Sequence, residues 1–303
     1  MPEKFSPVSY ALVDYFEEDD HSESETFHEF TKLTRTNVSV ISRRVEQIKA
    51  DPGLMDMMSR SWKTYPGART VPLPEFHRPS VSFADVVLRR RSVSTKGRDF
   101  HGGPITLEQL GGLITLAYGP TSRMRTPTGG EQHLRATASA GALYPTELYV
   151  AAFDVTGLEP GLYHVRTVEH TLELVRPGDL RAQFAGTSSY ESLCASASAA
   201  IVMTSVLRRT LSKYQHRGYR FALYDAGALT QSLYLAGTAV GLETCAVGGI
   251  YDDEVAEFLG VSPVDEPPQL AFLVGPAGPD EPAGGPTGRT RPTATAGGTR
   301  ADD

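Results

Sequence analysis

From Tyr219 to Val240 runs one long helical stretch rich in small residues: Ala222, Ala226, Gly227, Ala228, Ala236 and Gly237, with Gly241 to stop it. Such a helix permits close approach of neighbouring backbone. Around it lie apolar runs of strand length, Glu147–Phe153, Ala199–Leu207 and Gln269–Val274, with a shorter one at Thr244–Val247. Gly161–Val165 and Thr171–Val175 predict a hairpin with a polar loop. Hairpins mixed with helices indicate an α+β chain and not a strict βαβ array. No repeat recurs at a fixed period.

Helix boundaries are also legible. Ser82 caps a helix that passes Val86 and Leu88 into Arg89, Arg90 and Arg91, with Asp85 at the third position. Thr106 with Gln109 forms a capping box, and Leu110, Leu113, Ile114 and Ala117 repeat at helical spacing until Gly119-Pro120. Asp252 or Asp253 caps a short helix that ends at Gly260. Thr26–Ala50 has a helical but interrupted pattern. Trp62-Lys63-Thr64-Tyr65-Pro66-Gly67, followed by Pro72 and Pro74, is extended and irregular.

Hydrophobic residues make up 40% and charged residues 21% of the 303, both low for a globular protein, so part of the chain is not core. Two segments account for this. Pro276–Asp303 lacks any large apolar side chain, and ordering it would not offset the entropy lost. The start, to about residue 25, crowds Glu17, Glu18, Asp19, Asp20, Glu23 and Glu25 together and reads as solvated. The expected organisation is therefore a disordered acidic start over 1–25, a helical and extended wrap over 26–81, one body over 82–275, and a disordered tail over 276–303.

Several function classes are set aside. A net charge of -7 argues against non-specific nucleic-acid binding. No run approaches a membrane span, and the first residues lack the apolar core of a secretory signal. Cys194 and Cys245 stand alone, which suits a reducing cytoplasm. There is no P-loop and no GxGxxG fingerprint. Ser139 sits in Thr-Ala-Ser-Ala-Gly, which lacks the first glycine of a nucleophile elbow. The histidines show no metal-ligand spacing, and His164 and His170, flanking the hairpin, read as surface residues.

Four segments carry chemistry. Arg90-Arg91-Ser92 is either a set of cations at a helix C-terminus or a phosphate clamp. Ser139-Ala140-Gly141-Ala142-Leu143-Tyr144-Pro145 is either an ordinary loop or small residues admitting a flat ligand, with Tyr144 and Pro145 to cover its face. Lys213-Tyr214 sits near the start of the long helix. There a cation can bring the neighbouring phenol, ordinarily near 10, towards the range of a base. Cys245-Ala246-Val247-Gly248-Gly249 ends a strand with paired glycines that can leave backbone N–H groups bare to a ligand.

Their combination and order resemble the SagB/ThcOx-type dehydrogenases, flavin enzymes of the nitroreductase-like superfamily that oxidise azoline rings in ribosomal peptides. The resemblance spans about Phe27 to Gly275. It is carried by Phe27-His28-Glu29-Phe30-Thr31-Lys32, Trp62-Lys63-Thr64-Tyr65-Pro66-Gly67, Arg90-Arg91-Ser92, Ser139–Pro145 and Gly161-Leu162-Tyr163-His164. Lys213-Tyr214, Arg217-Gly218-Tyr219-Arg220, Leu223-Tyr224-Asp225-Ala226-Gly227 and Val247-Gly248-Gly249 complete it.

The resemblance implies a mixed, mainly antiparallel sheet flanked by helices, in a homodimer with long central helices that binds FMN between its subunits. Arg90, Arg91 and Ser92 would hold the ribityl phosphate. Ser139, Ala140, Gly141, Tyr144 and Pro145 would lie by the isoalloxazine, and Val247, Gly248 and Gly249 near its reactive end. Lys213 and Tyr214 would be the catalytic pair, with Tyr214 the expected base. The implied partners are an azoline-containing precursor peptide and a YcaO-type cyclodehydratase, with dioxygen as electron acceptor. Two departures concern the phosphate. Ser94 stands where a further arginine is usual, leaving Arg98 to compensate, and after Gly275 the next basic residue is Arg289. The alternatives are a flavin enzyme of this fold with another substrate, including NAD(P)H-dependent nitro or quinone reduction, and a non-catalytic scaffold.

Overall fold

The computed structural model describes residues 22–278 apart from 61, 94–96 and 98. The acidic start up to 21, Ser94, Arg98 and the tail from 279 lie outside the described residues. The last four residues of the proposed acidic start are helical instead. They open α1 (Ser22–Phe30), where Glu23 and Glu25 complement the positive end of the helix.

The chain continues through α2 (Val38–Ala50), α3 (Pro52–Ser59), β1 (Thr70–Pro72), α4 (Phe83–Arg89), β2 (Ile105–Thr106) and α5 (Leu107–Tyr118). Next come the hairpin β3 (Pro120–Arg125) and β4 (Glu131–Arg135), then β5 (Thr146–Ala152), β6 (Val155–Thr156), β7 (Gly161–Arg166) and β8 (Thr171–Pro177). The last third holds α6 (Arg181–Ala185), α7 (Glu191–Ser196), β9 (Ala199–Ser205), α8 (Leu207–Tyr214), α9 (Arg217–Ala239), β10 (Leu242–Val247), α10 (Asp252–Leu259) and β11 (Pro268–Pro276).

Seven strands form one sheet in the order β1-β8-β7-β5-β9-β11-β10. Every neighbouring pair in it is antiparallel. The short β2–β6 pair is parallel. The fold is thus α+β with a mainly antiparallel sheet, as the hairpins predict. The central strands are buried on both faces. Leu148 and Val150 of β5 join a core built with Leu110 and Leu113 of α5 and Leu229 and Leu233 of α9. Tyr149 and Ala151, pointing the other way, join Phe184, Cys194 and Phe258 beneath α6, α7 and α10.

The capping reading holds at α5, where Thr106 and Gln109 form the complete box, and at α4, where Ser82 accepts from the Asp85 N–H. At α10, Asp252 is the first helical residue and Tyr251 the cap, so neither aspartate caps by its side chain. Of the small residues of α9, Ala222, Ala226, Ala236 and Gly237 are buried as expected, whereas Gly227 and Ala228 are exposed. A Cβ on Gly237 would lie 2.5 Å from Thr244 of β10, so only glycine lets helix and strand meet this closely.

Candidate active site

Two clusters of predicted residues lie on α9. The first gathers at the turn Ala140–Ala142 that leads into β5. Asp225 of α9, 8% exposed, accepts the Ser139 hydroxyl at 2.5 Å and the Ala140 N–H at 3.2 Å. The Ser139 oxygen in turn accepts the Tyr144 N–H at 2.8 Å. Gly141 has φ +65, open to glycine at little cost. A Cβ there would collide with the Tyr214 hydroxyl and stand 2.8 Å from Lys213 Nζ. The turn and the Lys-Tyr pair, more than 70 residues apart in sequence, therefore converge on one point.

Lys213 and Tyr214 end α8, a helix of their own. The chain turns at Gln215, whose φ of 51 is strained for a residue with a side chain, and then enters α9. The Tyr214 ring packs edge-on to Phe221 at 4.8 Å. Electrostatics corrects the sequence reading. Burial, with the Asp225 carboxylate, holds the Tyr214 phenol above its ordinary value, so the Lys213 charge does not bring it down. Burial, with the nearby Lys49 charge, moves Lys213 below the usual lysine value. Lys213 is the member of the pair driven towards its neutral, proton-accepting form.

The second cluster surrounds Tyr234. The Arg90 guanidinium lies over its ring, 5.0 Å from the centroid. Ser92 Oγ and the Tyr234 hydroxyl are 2.9 Å apart, and that hydroxyl accepts the Ala246 N–H at 2.7 Å. Ser92 also bridges to Thr244, within β10. Among the described residues, neither Arg90 nor Arg91 is paired with a carboxylate. That pair of cations beside a hydroxyl suits an oxyanion. Arg91 also donates to the Leu88 and Arg90 carbonyls, so it serves as well as the helix-end cation.

Four predicted contacts are buried or filled by their own neighbours. Tyr144 and Pro145 are buried. Tyr144 packs on Tyr118, and its hydroxyl accepts the Arg135 N–H at 2.9 Å, so its ring faces core and not a ligand. The space beside Gly249 is occupied by Ser189 and the Tyr190 ring, either of which a Cβ would meet at 2.6 Å. Its carbonyl accepts from Ser188 and Ser189. Val247 is buried in the core. Gly248 is exposed, with nothing within 4 Å of a Cβ, and keeps the open backbone the sequence suggested.

The sequence assigns no site role to several other residues. Asp225, named only within the Leu223–Gly227 run of the resemblance, and Tyr234 sit inside helical periodicity that explains them as helix. His164, read as a surface residue, is 1% exposed. Its Nε2 bonds Glu147 and its Nδ1 bonds Glu173, each at 2.9 Å. Both carboxyls are held below their ordinary value, Glu147 at about 2. The imidazole is thus clamped between two carboxyls, one at each ring nitrogen. Lys63 joins this region through Tyr149 and Glu266, at 2.6 and 2.7 Å. Thus the Trp62–Tyr65 segment is pinned to the sheet. Glu147 alternates with apolar neighbours in a strand, and that pattern hid the network.

Asp225 and Tyr234 are nine residues apart, about two and a half turns and roughly 13 Å along the axis. They project to opposite flanks of α9. The two clusters of one chain therefore face different directions.

The model of the Nitroreductase family matches residues 87–276. A Methanocaldococcus jannaschii protein named as a nitroreductase, MJ1384, is 31% identical over 68% of this chain and 95% of its own. The trifolitoxin-processing protein TfxB of Rhizobium leguminosarum is 27% identical over 56% of this chain, which spans 47% of that protein's length. The fold is shared with a chain of the Escherichia coli microcin synthetase McbBCD complex, solved with truncated pro-microcin B17 bound. The TM-score is 0.53 at 18% identity, covering 89% of this chain and 98% of that one.

Proposed function

Because the chain belongs to the nitroreductase family, we propose that it is an FMN-dependent dehydrogenase that oxidises thiazoline or oxazoline rings of a ribosomally made peptide to the aromatic azoles. The observation that carries this reading is the convergence of Tyr214 Oη and Lys213 Nζ on Gly141. It places a proton acceptor and a hydroxyl against bare backbone. Forming the azole removes a proton from one ring carbon and a hydride from its neighbour. FMN, when bound, supplies the hydride acceptor. Lys213, half-buried and moved below the usual lysine value, takes the proton at Nζ, and the Tyr214 hydroxyl orients the ring and the amine. Dioxygen is the terminal acceptor.

The oxyanion cluster of Arg90, Arg91 and Ser92 would hold the FMN phosphate, and the open backbone at Gly248 leaves room for its ring. These two clusters face opposite flanks of α9, so one chain does not close a site alone. A homodimer resolves this by joining one cluster of each copy. Exposed apolar side chains, Phe83 and Leu88 of α4 and Leu223 and Tyr224 of α9, supply surface for it. We take residues 26–275 as one catalytic body. Similarity to a trifolitoxin-processing protein supports a peptide substrate, and a cyclodehydratase is the partner that would make the azoline. Similarity to a protein named as a nitroreductase favours one competing reading, NAD(P)H-dependent reduction.

The test is Lys213→Met beside Tyr214→Phe. Both should keep the visible flavin spectrum, with turnover of a thiazoline peptide lost in the first and lowered in the second. Wild-type turnover in Lys213→Met would remove Lys213 from the mechanism.

A further inference from the structure

We propose that Arg209 is a positioning residue for the Lys213–Tyr214 pair. The inference rests on the reading above. Arg209 lies one helical turn before Lys213 on α8, so the two side chains share a face. Its fork spans two elements that define the site. One nitrogen donates to the Tyr144 carbonyl at 2.9 Å, and the other pairs with Glu147 Oε1 at 2.5 Å. Both side chains are under 9% exposed.

The consequence follows from what each end holds. Tyr144, at φ +45, closes the strained turn that presents Gly141. Glu147 is fixed by His164, itself fixed by Glu173 and, beyond it, by Arg166 at 3.0 Å. Arg209 thus sets the distance between the end of α8 and the turn against a rigid buried frame. Asp225 holds the other end of that turn. Arg209 bonds to neither member of the pair; it acts through Tyr144 and Glu147. Lysine at 209 keeps the charge but not the planar fork.

The experiment follows the Lys213 amine directly. Lysines of wild type and Arg209→Lys are 13C-methylated and titrated by NMR, with the Lys213 signal identified by its loss in Lys213→Ala. In Arg209→Lys, the Lys213 signal should titrate at higher pH, because a loosened α8 exposes the amine. Turnover of a thiazoline peptide should fall at least tenfold with flavin content unchanged. If the variant does not fold, the double substitution Arg209→Met with Glu147→Gln removes both charges together, and the same shift is expected. An unmoved Lys213 titration in a folded variant overturns the proposal. The titration needs no substrate. Its failure is therefore distinct from failure of the dehydrogenase reading, which absence of thiazoline-peptide turnover in the wild-type protein would show.

Discussion

The Asp225 carboxylate accepts the Ser139 hydroxyl at 2.5 Å, so the long helix grips the turn that presents Gly141 to Lys213 and Tyr214. Burial raises Asp225 above the usual carboxylate value, and its two hydrogen bonds oppose that rise. Asp225→Asn keeps an acceptor and removes the charge. Asp225 is one of two causes that hold Tyr214 high, so the phenol should ionise at lower pH. A pH–turnover profile should show the tyrosine limb moving down. Asp225→Ala strips both bonds and should cost about 2 kcal/mol in a denaturant melt.

Lys49 provides a test at a distance. It is exposed on α2, and its charge helps to depress Lys213. Lys49→Met should let the Lys213 value rise, since its charged form is no longer opposed by a like charge. Turnover that needs the neutral amine should then begin at higher pH, with flavin affinity unchanged. An unmoved profile would separate Lys49 from the site.

Acid stability should report the buried frame. The Glu147 value falls from 4.5 to about 2 on folding, through Arg209 and His164 acting against burial. Its stabilisation is present above about pH 4.5 and lost as pH falls through 2. At neutral pH this amounts to on the order of 3 kcal/mol. Glu173 shifts in the same direction. His164→Phe leaves both carboxylates short of a donor and should destabilise by about 3–5 kcal/mol at neutral pH. Chemical denaturation at pH 7 and pH 3 checks both points, and the wild type's advantage over the variant should narrow at the lower pH.

The phosphate reading separates two arginines that look alike in sequence. Arg90 is held flat on Tyr234, whereas Arg91 is exposed and shares its donors with helix carbonyls. Arg90→Gln should weaken FMN binding about tenfold or more, the scale of one charge-assisted hydrogen bond. Arg91→Gln should weaken it less. Fluorescence titration of the apoprotein with FMN gives both numbers.

Much of the fold was legible because its signals are local. The Thr106–Gln109 box, the Gly260 stop and the apolar runs of β5, β9 and β11 each follow from neighbouring residues. The β3–β4 hairpin was not foreseen. All of β3 is exposed, and its polar Pro120–Arg125 lacks the alternation that marks a half-buried strand. The pair Lys213–Tyr214 was found, but its own helix was not, since the break falls at Gln215 and not at a glycine or proline. The direction of the two pKa shifts follows from burial, reinforced by Asp225 and Lys49, and only the fold supplies either. Tyr144 and Gly249 went astray for the same reason. Aromatic and glycine residues fit a ligand wall in sequence, and here they fit their own neighbours.

The most direct measurement is anaerobic mixing of the purified protein with a thiazoline-containing peptide while the visible flavin absorbance is followed. The expected result is bleaching without NAD(P)H, with one equivalent of peptide losing two hydrogens per flavin, and colour returning on admission of air. Flavin that stays oxidised with the peptide but bleaches at once with NAD(P)H would contradict the dehydrogenase and identify a reductase.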